Sequence, residues 1–351
     1  PNACNNTFKN IIMENKFCII LAGGVGSRFF PLSGKEYPKQ FLDLFNENES
    51  LIQKTFKRVS KFIKTQNIYV VTYKGYFDLV QKHLTELPVE NILCEPVQKN
   101  TAGSIAFGSY VIHKKNLNAK ILVCPADHLI ENNIEFEKSC NTVFEHLEKK
   151  NTIITLGILP TEPHTGYGYI KKDQNNTLIS DVLEFTEKPS LEKAKQFIKE
   201  GNYLWNSGIF MFNSKDIIKE YQILKPKIHE SFNKISKNSK HTIEEIFSNL
   251  ENISFDYGIL EKSQNIEVMK ININWSDLGS YSALYQKSKK DSNGNVCDSK
   301  KHKLYNCKNN IVLIPKEKEI IIEGLSDYII AENDNTILIY PKDKDQKIKN
   351  L

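Results

Sequence analysis

The stretch LAGGVGSRFFPLSGKEYPKQF, residues 21–41, follows directly on the apolar run 17–22. A strand that empties into a glycine-rich turn brings backbone N–H groups close to whatever lies above it, and glycines suit a close approach to phosphate. A bare glycine turn explains the Gly23, Gly24 and Gly26 spacing alone. A dinucleotide fingerprint requires a third glycine where Phe29 stands, and Pro31 interrupts the helix that should follow. Asp43 lies at about the ribose-binding distance from the glycines, but a Pro-Lys loop separates them. A P-loop requires Gly-Lys-Ser/Thr after the glycines, and none is present. The remaining reading takes Arg28 and Lys39 as two fixed cations that converge on a triphosphate.

Outward from this turn, strand-like runs at 68–72, 89–93, 121–124 and 152–157 alternate with helical patterns at 50–62, 76–84, 101–113 and 134–148. Ser50 and Thr101 stand at N-cap positions of two of these helices. Such alternation predicts an α/β fold with a mostly parallel sheet covered by helices on both faces. Beyond Gly166 the pattern mixes, with extended segments at 168–171 and 179–185 and a helix over 190–199 capped by Ser190. Short β-branched runs at 311–314, 319–322, 328–331 and 336–340 then predict a small C-terminal β domain. The expected division is an N-terminal extension at 1–15, a catalytic domain at 16–290 and the β domain at 291–351, with a polar boundary near 287–294. Met13 precedes the first strand, so residues 1–12 read as an upstream extension. No internal repeat is evident in the sequence.

Composition narrows the function classes. The 351 residues are 40% hydrophobic and 25% charged, with a net charge of +5 spread among intermixed Lys, Asp and Glu. There is no basic stripe with interleaved aromatics, so nucleic acid is not an expected partner. No apolar run is long enough to span a bilayer, and the N-terminus has no signal-like apolar core. Seven cysteines form no CxxC pair, and Cys18 and Cys124 lie inside strand-like runs as small buried hydrophobes. This usage suits a reducing cytoplasm.

Six blocks carry the remaining signal. EPVQKNTAGSIA (95–106) is at its plainest a turn and a capped helix; PADH (125–128) puts Asp127 at a strand's C-terminal end, where ligands bind in open α/β sheets but where turn caps also occur. TGYGYI (165–170) reads as a glycine hairpin with an aromatic face, and EFTEKP (184–189) as a charged pair before a turn. LWNSGIF (204–210) and WSDLGS (275–280) set Asn206 and Asp277 beside Trp205 and Trp275, which by themselves read as core residues. His128 reads as structural.

Taken in order, GGxGxR…PKQ and these blocks resemble the mannose-1-phosphate guanylyltransferases, a branch of the nucleotide-sugar pyrophosphorylases, from Lys16 to the end. Departures from the common pattern are Lys99, Gly103, Gly34 and His164. The resemblance implies a Rossmann-like nucleotidyltransferase sheet with a β-helix-like C-terminal domain. It implies guanylyl transfer from GTP to mannose 1-phosphate, giving GDP-mannose and pyrophosphate. Arg28, Lys39 and Lys188 would be catalytic, and Leu21, Gly23, Gly24, Gly26, Asn100, Thr101 and Ala102 would bind the nucleotide. Tyr167, Gly168, Glu187, Lys188 and Asn206 would bind the sugar phosphate, and Asp127 and Asp277 would hold Mg2+. A cytoplasmic homodimer with no membrane partner is the expected state. The alternatives are the same reaction on a heptose or glucose 1-phosphate, or a non-catalytic nucleotide-sugar-binding regulator. No His/Glu cluster with metal-ligand spacing marks a second, isomerase-like activity, so a single activity is expected.

Overall fold

The computed structural model describes residues 15–351 apart from 176, 237–241, 298, 300 and 334, so the expected N-terminal extension lies almost wholly outside the described residues. The chain divides into two compact units that interleave along the sequence. One comprises residues up to Gly23 together with 55–126 and 130–275; the other comprises 24–54, 127–129 and 276–351. The boundary expected at residue 291 therefore falls inside the second unit, which also takes in the glycine-rich loop.

The first unit is built on a nine-stranded sheet among the described residues. Its strands are β1 (Lys16–Leu21), β2 (Ile68–Tyr73), β3 (Ile92–Glu95), β4 (Lys120–Pro125), β5 (Ile153–Ile158), β6 (Tyr169–Lys172), β7 (Ile179–Thr186), β8 (Tyr203–Asn213) and β9 (Ile266–Ile271). The order is β3-β2-β1-β4-β8-β5-β9-β7-β6. Continuous apolar runs such as the KFCIIL of β1 are buried on both faces, as a central parallel strand requires. Helix Asn100–Lys115 lies in the same core, and the missing side chain of Gly108 lets it pack tightly on Ile19.

The expectation of a mostly parallel sheet is corrected. β3, β2, β1 and β4 are mutually parallel, and β9 is parallel to β5. The long β8 runs antiparallel to both β4 and β5, and β6 and β7 pair antiparallel with each other. Parallel neighbours need a crossover each time, and between β6 and β7 the chain supplies only a short connection. Two local readings also change. Val89–Asn91 forms a 3-10 turn, so β3 begins only at Ile92. Lys99, not Thr101, is the N-cap of helix Asn100–Lys115. Ser190 does cap helix Leu191–Glu200 by accepting from Lys193 N–H, and Gly201 closes that helix with φ 75°.

In the second unit, Phe29, Leu51, Leu129, Tyr281, Ile311 and Ile329 share one core. Its strands are β10 (Val296–Cys297), β11 (His302–Tyr305), β12 (Ile311–Leu313), β13 (Ile320–Glu323), β14 (Tyr328–Asn333) and β15 (Thr336–Pro341). β10, β12 and β14 pair parallel in one sheet and β11 and β13 parallel in another, so the chain alternates between the two. β15 closes the first sheet antiparallel.

A repeat hidden in the sequence accompanies this alternation. Asn295 Nδ2 donates to the Cys307 carbonyl at 3.1 Å, and Asn310 Nδ2 donates to the Leu325 carbonyl at 2.7 Å. Asn295 Oδ1 accepts from Asn310 N–H, and Asn310 Oδ1 from Tyr328 N–H. The signal is the buried Asn before Val296-Cys297 and again before Ile311-Val312, too short to register by sequence alone. No helix among the described residues is long and apolar enough to cross a membrane.

Candidate active site

Within the second unit, Gly26, Arg28, Lys39, Asp127 and Asp277 line one hollow, with His128 at its side. Gly26 adopts φ 73°, a left-handed conformation natural only to glycine, and a side chain there would run into Lys39. That turn is held by Ser33 Oγ, which donates to the Gly26 carbonyl at 2.5 Å. Lys39 sits on a 3-10 turn, Lys39–Phe41, and is 4% exposed. Its Nζ donates to Asp127 Oδ2 at 2.7 Å and to the Asp277 carbonyl at 2.7 Å, 5.8 Å from the centre of the Phe29 ring. One buried ammonium thus ties together two segments far apart in sequence. Arg28 is exposed at the rim.

Burial alone would raise the Asp127 carboxyl, but the charges of Lys39 and His128 and the Lys39 hydrogen bond outweigh it and hold the group below the usual carboxylate range. Asp277 Oδ1 accepts from Gly279 N–H at 2.9 Å. The hollow therefore sets cations beside carboxylate oxygens, an arrangement that can neutralise phosphates while holding a hard metal ion. Among the described residues no three His, Cys, Asp or Glu side chains converge as a closed metal cage.

Within the first unit, the predicted residues fall into two groups. Leu21 ends β1, and its carbonyl accepts from Ala126 N–H at 2.9 Å. The Gly23 carbonyl accepts from Gln98 Nε2. Asn100 has φ 65° and its Oδ1 accepts from Thr101 N–H at 2.9 Å. Thr101 Oγ1 accepts from Phe255 N–H at 2.8 Å, and the Ala102 carbonyl accepts from Tyr221 Oη at 2.7 Å. Beside this helix start lies Glu95, which accepts from Ser104 Oγ at 2.6 Å. Its burial pushes the carboxyl up to about 7 against the lowering effect of that hydrogen bond.

The second group gathers on β6–β8. The Gly168 carbonyl accepts from Asn206 N–H at 2.8 Å, and Glu187 Oε2 lies where a Gly168 side chain would project. Glu187 Oε1 meets Lys188 Nζ at 2.7 Å; Lys188 has φ 47° and is exposed. Tyr167 stacks on His164 at 3.8 Å and meets Trp205 and Trp275 edge-on at 5.1 and 5.2 Å. Both tryptophans are buried, as their core reading expected. Asn206 Nδ2 donates to Asp256 Oδ1 at 2.7 Å. Asp256 belonged to none of the sequence blocks, and its neighbour Phe255 is tied to Thr101 only in the fold, so no local signal marks it. Gly24 and Gly26 belong to the other unit from Gly23, and among the described residues nothing would meet a side chain at Gly24.

The profile of the nucleotidyl transferase family matches residues 17–294. The chain belongs to this family. It is 32% identical over 352 residues to a mannose-1-phosphate guanylyltransferase of Escherichia coli, covering 95% of this chain and 74% of the relative. With a protein of the same name from Salmonella montevideo it shares 35% identity, covering 91% of this chain and 71% of that one. A solved structure from Thermus thermophilus, described as a mannose-1-phosphate geranyltransferase, matches with a TM-score of 0.88 at 26% identity, covering 96% of this chain and 98% of that one.

Proposed function

We propose that this chain transfers the guanylyl group of GTP to mannose 1-phosphate, releasing pyrophosphate and forming GDP-mannose. The observation that carries the reading is the hollow in which Arg28 and buried Lys39 stand with the carboxylates of Asp127 and Asp277. The names of the curated relatives support the guanylyl and mannose choice.

The chemistry follows from charge. A sugar 1-phosphate oxygen is already ionised at neutral pH and needs no base to attack the α-phosphorus. The obstacle is bringing two polyanions together and letting pyrophosphate leave, so positioning and preorganised charge supply most of the catalysis. Lys39, held rigidly by two oxygen acceptors, neutralises a phosphate without reorganising; Arg28, at the rim, takes the polyphosphate tail. Gly23, Gly24 and Gly26 admit the phosphate chain to the backbone, while Leu21, Asn100, Thr101 and Ala102 hold the guanosine. Lys188 takes the sugar phosphate, and Tyr167, Gly168, Glu187 and Asn206 read the sugar.

Asp127 and Asp277 fit magnesium, which prefers hard oxygen donors and usually keeps only one or two carboxylates, with phosphate and water oxygens completing its shell. When bound, the ion supplies further neutralisation of the reacting phosphates. The free thiols of the described cysteines and the use of GTP suit a cytoplasmic enzyme. The alternation of β10–β14 between two parallel sheets supports a β-helix-like reading of the C-terminal region. Exposed Ile337 and Ile339 on β15 support a homodimer built through it.

The test is pyrophosphate release across a grid of GTP, UTP and dTTP against mannose, glucose and heptose 1-phosphates, with magnesium. GTP with mannose 1-phosphate should exceed every other pair. Equal or faster turnover with UTP and glucose 1-phosphate would refute the assignment.

A further inference from the structure

Asp256 has no part in the roles assigned above, yet several contacts within the first unit converge on it. It opens a single π-helical turn, Asp256–Leu260, a rare geometry that recurs at functional sites. The residue before it is pinned by the bond from Phe255 N–H to Thr101 Oγ1. Its own carboxylate accepts from Asn206 Nδ2 at 2.7 Å. Asn206 is not free to turn that amide elsewhere, because its Oδ1 accepts from Thr155 Oγ1 and from Gly208 N–H, both at 3.1 Å. The amide is therefore a fixed bracket that aims the Asp256 carboxylate.

The charge of Glu187 acts on the same carboxylate. Its side chain is only 8% exposed; Oε1 is taken by Lys188 Nζ, while Oε2 has no hydrogen-bond partner among the described residues. That buried oxygen stands over Gly168 beside Asn206. Leaving a charged acceptor buried and unpaired is costly. Burial and the neighbouring Glu187 charge push Asp256 up to about 6, against its own backbone hydrogen bond, the Asn206 bond and the Lys188 charge. Glu261 adds a further carboxylate nearby, since its Oε1 accepts from Glu187 N–H at 3.3 Å. Packing like charges this way works against folding and is typical of sites built for a ligand. A ligand that donates hydrogen bonds without bringing negative charge relieves it. A phosphate is excluded on that ground, and the hydroxyls of a hexose meet it.

We propose that Asp256 is a sugar-binding residue, and that Glu187 and Asp256 form a two-carboxylate clamp on hydroxyls of the hexose 1-phosphate, with Asn206 as its bracket. The proposal rests on the function proposed above and extends it to a residue outside the sequence blocks. Asp256 is partly exposed, which gives a ligand access to it.

The test is steady-state kinetics of Asp256→Asn and Asp256→Glu beside the wild-type chain. In Asp256→Asn the KM for the sugar 1-phosphate should rise by about ten- to a hundredfold, the scale of a lost hydrogen bond to a charged group. The KM for GTP should stay within about twofold and the melting temperature should not fall, because Asn is isosteric and removes a like charge. In the wild type, the KM for the sugar should also climb as pH falls through about 6, where Asp256 takes up a proton. Asp256→Asn should lose that limb and keep only the part due to the substrate phosphate. Asp256→Glu, which keeps the charge but displaces it, should keep the limb with a raised KM. A sugar KM unchanged in Asp256→Asn, or one rising together with the GTP KM and a falling melting temperature, would overturn the clamp. Absence of turnover by the wild type with any sugar 1-phosphate would overturn the functional reading and the clamp with it.

Discussion

The hollow around Lys39 and the carboxylate cluster around Asp256 treat charge in opposite ways. In the first, the two charges at the centre answer each other: the buried ammonium is shared between the Asp127 carboxylate and the Asp277 carbonyl, and Asp127 is held below the usual carboxylate range. In the second, Glu187 and Asp256 face one another, one of them pushed up to about 6 and the other with an unpaired oxygen. The balanced hollow is built to keep its geometry while charge moves through it. The unbalanced cluster is built to be completed by something that donates hydrogen bonds. A polyphosphate and a polyol make those two demands.

The largest expected effect breaks the balanced hollow. Lys39→Ala and Arg28→Ala should each lower kcat by about a hundredfold or more, as losing a preorganised charge stabiliser does. The two should part in stability. Arg28 is exposed, so its variant should melt with the wild type, whereas Lys39→Ala leaves Asp127 without its cation and should melt several degrees lower. The sign with pH follows from the depressed Asp127 carboxyl. Its contribution is full above the unfolded value of about 4 and fades as pH falls through the lower folded value, so the gap between wild type and Lys39→Ala should narrow in acid. Thermal melts from pH 3 to 7 would check it, and a gap independent of pH would deny the ion pair a role.

A smaller effect should come from crowding the unbalanced cluster. In Gly168→Ala the added methyl collides with Glu187 Oε2 and presses on Asn206. The KM for the sugar phosphate should rise by about tenfold while kcat and the GTP KM change little. Comparable losses for both substrates would mean that the two regions are not specialised as described.

The smallest effect should be opposite in sign to that of Lys39→Ala. Glu187→Gln removes one of two like charges, and the Lys188 ammonium that loses its partner is exposed and stays hydrated. The variant should gain no more than about 1 kcal/mol at pH 7.5, read from denaturant midpoints. A clear loss of stability would show that Lys188, rather than Asp256, is the neighbour that matters to Glu187.

The balanced hollow was the more legible in sequence. Glycine spacing, Arg28, Lys39, Asp127 and Asp277 all sit in contiguous blocks whose chemistry is visible residue by residue, and the fold delivers them to one place. What those blocks could not convey was the burial of Lys39, because a cation in a Pro-rich loop reads as solvated until a distant carbonyl accepts from it. Asp256 was illegible for a related reason: its partners, Asn206 and Glu187, lie far from it in sequence and meet it only in the fold. The parallel half of the sheet followed from helix–strand alternation, while the antiparallel placement of β8 depended on pairings that no local pattern encodes. The asparagine repeat escaped because two residues spaced by fifteen carry too little periodic signal, although they organise the parallel rungs.

The central claim is transfer at the α-phosphorus of GTP, and following that atom tests it most directly. GTP labelled at the α-phosphate should be incubated with mannose 1-phosphate, magnesium and the wild-type chain, and the products separated. The account predicts label in GDP-mannose in one-to-one proportion with unlabelled pyrophosphate, and none in GDP-mannose when the label is placed at the γ-phosphate. Label recovered only as GMP or GDP, with no nucleotide sugar formed, would contradict it.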